Sequence, residues 1–448
     1  IQSSQVKPIE PVFVDFQKDM SKLEAQAGIP VLYKKNETTG LFNLMYVIET
    51  GTNTDPVLNL AFQYLDYLGT SQKSAEQIKQ EFYNIACGYG ITAGADRSYV
   101  SLSGLSENMP AAMQLFEELI ADAQPNEAIL ENLKADMIKA RADAKLNQGA
   151  NFGALNRYAT FGPAYVRKNT LTDEQLQALT SEELLDKIKA FANLEHTVLY
   201  YGPKSGNEVV ADLKAYHKTP AELTPVAETV RTRPLLTPEN RVIMAEYDAK
   251  QIYFLQISNR GETFDPANDA AIALYNAYFG GGMNAIVFQE MREARSLAYT
   301  AQAFLSQPGR LDRPYMYMAF IATQNDKMQK AIEAFDEIIN NMPESEKAFS
   351  IAKEALISRL RTERTVKDGV LWSYIRMRDL GLTEPRGKQI FEKAQQMTLA
   401  DVKAAQEKWV KGRKYVYGIL GDIQDLDLNY LKTLGPIRTV SQEEIFGY

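Results

Sequence analysis

Apolar and polar positions alternate along this chain in a way that divides it into short strand-like runs and longer helical stretches, and the set occurs twice. Apolar runs at 29–35 and 42–49 read as strands, and 90–95 with 98–104 read as a hairpin-like pair. Helical periodicity follows over 109–123 and 126–147, the second stretch starting after Pro125 and rich in Ala, Lys and Glu. Downstream the order returns, with strands at 251–257, 299–306 and 315–323 and helices at 327–341 and 345–364. Each set closes on an N-capped helix and a strand. Thr180-Ser-Glu-Glu-Leu-Leu leads to Thr197-Val-Leu-Tyr-Tyr-Gly202, and Thr398-Leu-Ala-Asp-Val-Lys leads to Val416-Tyr-Gly-Ile-Leu-Gly421. Strands grouped by hairpin links, with helices grouped after them, predict an α+β class in which helices pack on one face of an antiparallel sheet.

Local detail makes the repetition a duplication. Gly51-Thr-Asn-Thr-Asp55-Pro56 matches Gly261-Glu-Thr-Phe-Asp265-Pro266, and Tyr64-Leu-Asp-Tyr67-Leu-Gly69 matches Tyr275-Asn-Ala-Tyr278-Phe-Gly280. Matched blocks in one order argue for two repeats. The expected division is a first repeat over 1–216, a linker over 217–240 carrying four prolines, and a second repeat over 241–448.

Composition narrows the function. The 448 residues are 45% apolar and 24% charged with a net charge of −8, and the cations are scattered. A clustered cationic face for nucleic acid is not expected. No run approaches the roughly 18 apolar residues that span a bilayer. The single cysteine, Cys87 between Ala86 and Gly88, excludes an internal disulfide and reads as a small buried apolar group. The opening Ile1-Gln-Ser-Ser-Gln-Val-Lys-Pro-Ile-Glu-Pro reads as a connector from a preceding half. Any address for the chain would precede Ile1, so periplasmic and cytoplasmic locations both stay open.

The chain has two histidines, His196 at the entry to a strand and His217 at the start of the linker. Neither has a second histidine at helical spacing, which excludes a zinc site with two such ligands on one helix. No nucleophile elbow accompanies them, and Gly280-Gly-Gly282 lacks the Lys-Ser/Thr of a phosphate loop. Both histidines read as structural.

The most specific local sequence is Gly280-Gly-Gly-Met283-Asn-Ala-Ile-Val-Phe288-Gln-Glu-Met-Arg292-Glu-Ala-Arg295-Ser-Leu-Ala-Tyr299. It resembles the pattern G-G-G-M-x-x-x-L-F-Q-x-x-R-E-x-R-G-L-A-Y of the pitrilysin, mitochondrial processing peptidase and insulin-degrading enzyme family of zinc metallopeptidases. The duplicated layout extends that resemblance over nearly the whole chain. The resemblance implies a catalytic half carrying H-x-x-E-H, with two histidine ligands and a glutamate base. Aligned on Gly69-Thr70, those positions here are Leu60, Gln63 and Tyr64, and none of residues 52–72 is a histidine. Leucine has no lone pair to give and glutamine is no base, so the chain is expected to bind no zinc and to hydrolyse nothing alone.

The resemblance further implies that Arg292 and Tyr299 reach substrate carbonyls beside a zinc held by a partner half, on the same polypeptide or a separate subunit. The leading expectation is therefore the non-catalytic half of a clamshell endopeptidase acting on unfolded peptides. A catalytically dead scaffold or peptide-binding subunit is the alternative, and a free-standing hydrolase with another metal site is a third reading that two histidines disfavour.

Overall fold

The structure, a computed structural model, describes residues 6–227 and 232–448. The start of the expected connector, residues 1–5, and residues 228–231 of the linker lie outside the described residues. Two six-stranded sheets form. The first contains β1 (Ser21–Glu24), β2 (Pro30–Lys35), β3 (Leu41–Ile48), β4 (Cys87–Ala93), β5 (Ser98–Leu105) and β6 (Thr197–Gly202), in the order β1-β2-β6-β3-β5-β4. The second contains β7 (Arg241–Glu246), β8 (Gln251–Ser258), β9 (Thr300–Leu305), β10 (Tyr317–Gln324), β11 (Val416–Gly421) and β12 (Ile437–Val440), in the order β12-β7-β11-β8-β10-β9. Five strands correspond one to one between the sheets, which is the duplication expressed as topology. The sixth differs: β1 precedes β2 and runs antiparallel to it, whereas β12 follows at the far end of the chain and runs parallel to β7.

The sheets are mixed. β2 pairs with β6 and β7 with β11 in parallel, because the long helical segments between them return the chain in the same direction. The remaining pairs of the five shared strands are antiparallel.

Both faces of each sheet are covered, beyond the one-face packing the sequence suggested. On β7, Val242 and Met244 enter the main core of the second repeat while Ile243 and Ala245 enter a separate cluster on the opposite face. That opposite cluster is completed by Ala154, Leu155, Tyr158 and Ala159 of the helix Gln148–Phe161, which belongs to the first half of the sequence. The reverse exchange occurs as well. Val370, Leu371 and Ile375 of the helix Gly369–Asp379 pack on Leu32, Val47 and Leu199, on the far face of the first sheet. Strands with apolar residues at successive positions are what two covered faces require.

Charged groups at the hairpin tips tie the repeats together. Arg97, in the β4–β5 turn, donates from Nε to both oxygens of Glu49 and from Nη2 to both oxygens of Asp379 at 3.0 Å. Its neighbour Asp96 accepts from Arg313 at 2.7 Å. The linker is docked at both ends. Thr224 pairs its backbone with Asn193 and Glu195, Leu235 donates to the Thr160 carbonyl, and Thr237 donates to that of Asn259.

Candidate functional site

The zinc-motif positions lie on the helix Leu58–Leu65. Leu60 is 1% exposed and Tyr64 0%, both inside the first repeat's core, while Gln63 faces solvent. The Tyr64 phenol accepts from the Asn126 backbone N–H at 2.7 Å and shares a 2.8 Å hydrogen bond with Ser181 Oγ. Asn126 caps the long helix Glu127–Lys145, so Tyr64 joins two helices instead of facing a cleft. The same device occurs in the second repeat, where the Tyr278 phenol accepts from Ser345, the cap of Glu346–Thr362. By sequence Tyr64 lies opposite Tyr275; by hydrogen bonding it does the work of Tyr278. These three residues do not fit a zinc ion. No group of three or more His, Cys, Asp or Glu arranged to hold a metal occurs among the described residues.

The glycine-rich motif follows the helix Asp269–Phe279. Of its three glycines one is sterically demanded. A Cβ on Gly280 would fall 1.4 Å from the Ala303 carbonyl oxygen, whereas one on Gly282 would meet nothing within 4 Å. This contact brings the edge strand β9 against the helix end, where Asn276 donates to the Leu305 carbonyl and accepts from its N–H. The strand's free edge is thereby covered.

The chain then makes a short turn of α-helix, Ile286–Phe288, and a π-helical turn, Gln289–Ala294, anchored by buried Ile286, Val287 and Met291. π-turns widen the helix and re-aim side chains. Arg292, on this turn, is exposed, lies 5.1 Å over the Phe288 ring and makes no ion pair among the described residues. Arg295, one turn on, is engaged with Glu337 and Glu290. The exit is made by Ser296 at φ +51°, at the position where the resembled pattern has glycine. Tyr299 enters the sheet by donating its N–H to Ala322, and its side chain, 51% exposed, accepts at the phenol oxygen from Gln324 at 2.8 Å. Arg292 and Tyr299 therefore bracket one turn, and both side chains are exposed. No hydrogen bond joins them to each other.

A second polar constellation went unread in the sequence. His196 and His217, 21 residues apart, meet at 2.9 Å between their Nε2 atoms, and Glu117 Oε1 lies 2.6 Å from His217 Nδ1. His217 does not start a free linker. It closes the helix Gly206–Tyr216 and is buried. The only signal available in advance was that β6 and that helix are sequential and therefore adjacent.

Residues 176–356 match the sequence model of the family described as peptidase M16 inactive domain. An uncharacterized zinc protease of Streptomyces coelicolor is 24% identical over 262 residues, and the match covers 56% of each chain, so the chain aligns with about half the length of that curated relative. Among solved structures, the peptidase M16 inactive domain from Pseudomonas fluorescens superposes with a TM-score of 0.69 at 20% identity, over 90% of this chain and 98% of that one. The periplasmic protease PqqL from Escherichia coli gives 0.70 at 15% identity, over 94% of this chain and 47% of PqqL. The ferredoxin protease FusC, solved with Arabidopsis ferredoxin, gives 0.71 at 14% identity, over 94% and 48%. These structural likenesses establish the fold. No helix among the described residues is long and apolar enough to cross a membrane. Residues 176–356 thus match the peptidase M16 inactive domain, and the duplicated fold is like that of the solved M16 inactive domain from Pseudomonas fluorescens.

Proposed function

We propose that this chain closes one side of a peptidase chamber against an H-x-x-E-H-bearing half and lends Arg292 and Tyr299 to the substrate. The observation that carries the reading is the contrast between the two motif regions. Leu60 and Tyr64 are absorbed into the core, while Arg292 and Tyr299 are exposed, Arg292 against the Phe288 ring without an ion pair among the described residues and Tyr299 with its phenol held only by Gln324. The hydrolytic metal chemistry would reside on the other half. This chain's part is to donate. A guanidinium is permanently charged and a phenol is a directional donor, so both strengthen as charge builds on a peptide carbonyl oxygen. That the chain corresponds to about half of PqqL and of FusC fits a missing companion half. Ferredoxin is the protein bound to FusC; for this chain an unfolded or extended peptide is the expected cargo.

Reconstitution tests the reading. The chain is mixed with a zinc-bearing half and cleavage of an unfolded peptide is followed for wild type, Arg292→Ala and Tyr299→Phe. Each variant should lose about 10²-fold in turnover with assembly on sizing unchanged, the usual consequence of removing one oxyanion donor. Unchanged turnover in both variants would leave the chain as a scaffold.

A further inference from the structure

The two histidines of the chain form a hydrogen-bonded pair whose roles are fixed by their other ring nitrogens. His196 Nδ1 lies 2.8 Å from the Leu194 carbonyl, which can only accept, so Nδ1 carries the proton and Nε2 presents a lone pair. His217 Nδ1 lies 2.6 Å from Glu117 Oε1, and one proton occupies that contact wherever it is drawn. With both imidazoles neutral and Glu117 ionised, two lone pairs would face each other across the 2.9 Å between the Nε2 atoms. That distance is a hydrogen-bond distance and is short for a metal ion bridging two nitrogens at about 2.0–2.1 Å each in tetrahedral geometry. A proton must lie there. Counting through the trio gives three protons where two neutral histidines and a carboxylate hold two, and a net charge of zero. A buried trio at zero net charge avoids the cost of an unpaired charge.

We propose that Glu117, His217 and His196 are a one-proton latch that fastens the root of the inter-repeat connector and opens on acidification. The parts it joins come from three places: Glu117 on Met109–Asp122, His196 just before β6, and His217 at the end of Gly206–Tyr216 where the connector begins. Tyr46 of β3 stacks on His217 with centroids 4.1 Å apart, and its buried phenol has no partner, so the ring is held by packing. The charged groups facing the pair are Lys218 on the inner side, with Glu49 just after β3, Glu195, Glu222 of the connector and Arg378 of Gly369–Asp379 around His196. A second proton on His196 Nε2 would set two N–H donors against each other and break the bond. Burial holds His196 neutral down to about 4, so it resists that proton through mild acid and takes it below. Just beyond the latch the connector is clipped by backbone bonds from the Thr224 N–H to the Asn193 carbonyl and from the Glu195 N–H to the Thr224 carbonyl.

Imidazole nitrogen NMR on the intact chain tests this, since two histidines give two spin systems. At neutral pH the expected pattern is His196 protonated at Nδ1 and a single proton shared between the Nε2 atoms, seen as coupling across the hydrogen bond. Two protons there, or none, overturns the latch, and so does one equivalent of added Zn²⁺ that shifts both rings. Amide exchange gives the second readout. After correction for intrinsic rates, protection of Thr224 and Glu195 should fall by roughly 10²-fold between pH 6.5 and 4, the size of effect carried by a shift of about two pH units. In His196→Gln/His217→Gln the loss should vanish. Persistence of the same pH dependence in that variant assigns the effect elsewhere and refutes the proposal; if the variant does not fold, the wild-type proton count decides.

Discussion

Rebuilding the zinc ligands should unfold the first repeat before it captures metal. In Leu60→His/Tyr64→His the two histidine positions of the motif return, into sites that are 1% and 0% exposed. Loss of the Leu60 side chain forfeits about 2 kcal/mol of burial. An imidazole placed there without a partner adds about 1–3 kcal/mol. Removing the Tyr64 phenol leaves the Asn126 N–H and the buried Ser181 hydroxyl unsatisfied, for about 1–3 kcal/mol more. The positions are one turn apart, so these figures are not strictly additive. Even so they amount to roughly 5 kcal/mol, a large part of a typical domain's whole stability. Urea unfolding followed by tyrosine fluorescence should show a transition moved far to lower denaturant or lost, and metal analysis after dialysis should find well under one zinc per chain. A variant with the wild-type midpoint and one equivalent of zinc would show that the helix can turn these residues to a cleft, and the account of Tyr64 as a helix joint would be wrong.

Three further outcomes follow from the same geometry. Gly280→Ala should destabilise the second repeat by several kcal/mol or displace β9, lowering the reconstituted activity through Tyr299, while Gly282→Ala should behave as wild type; thermal melts and the peptide assay distinguish them. Ser296→Gly should stabilise the chain by about 1 kcal/mol, because serine at φ +51° carries left-handed strain that glycine does not, and a denaturant midpoint that falls would refute this. Burial raises the Asp336 carboxyl to about 6, so the folded chain holds a proton there that the unfolded chain gives up near 4. Its stabilising effect is complete below that lower value and is lost as pH rises through 6. Asp336→Asn should therefore match wild type at pH 4 and exceed it by about 2 kcal/mol above pH 7, read from unfolding curves across that range.

Much of the fold was legible because its signals are local and occur twice. The run at 42–49 became β3, 98–104 became β5, and the helices starting near Met109 and Asn126 appear within a residue or two of expectation. Short edge strands were not legible. Ser21–Glu24 and Ile437–Val440 carry four residues each, and pairing defines them more than pattern does. Nor did the sequence reveal that the helices Gln148–Phe161 and Gly369–Asp379 would cross to the opposite repeat. An apolar stripe says that a helix is buried and leaves open which sheet buries it. At the candidate site, the residue identities of Arg292 and Tyr299 could be picked out, but the π-turn that aims them is a matter of backbone hydrogen bonding, and the meeting of His196 with His217 depends on tertiary contact.

The crossed helices have a consequence for how the molecule comes apart. A protease that severs the chain between Val226 and Arg233 would cut its covalent continuity and free nothing, because each fragment still lends the other an apolar cover on the back of its sheet. Expressed alone, either fragment would present that naked sheet to water and aggregate; expressed together they should find one another and co-purify. The pair behaves as a clasp of two mutually dependent pieces, which makes the connecting strand of sequence a convenience of synthesis and not the thing that keeps the two lobes married.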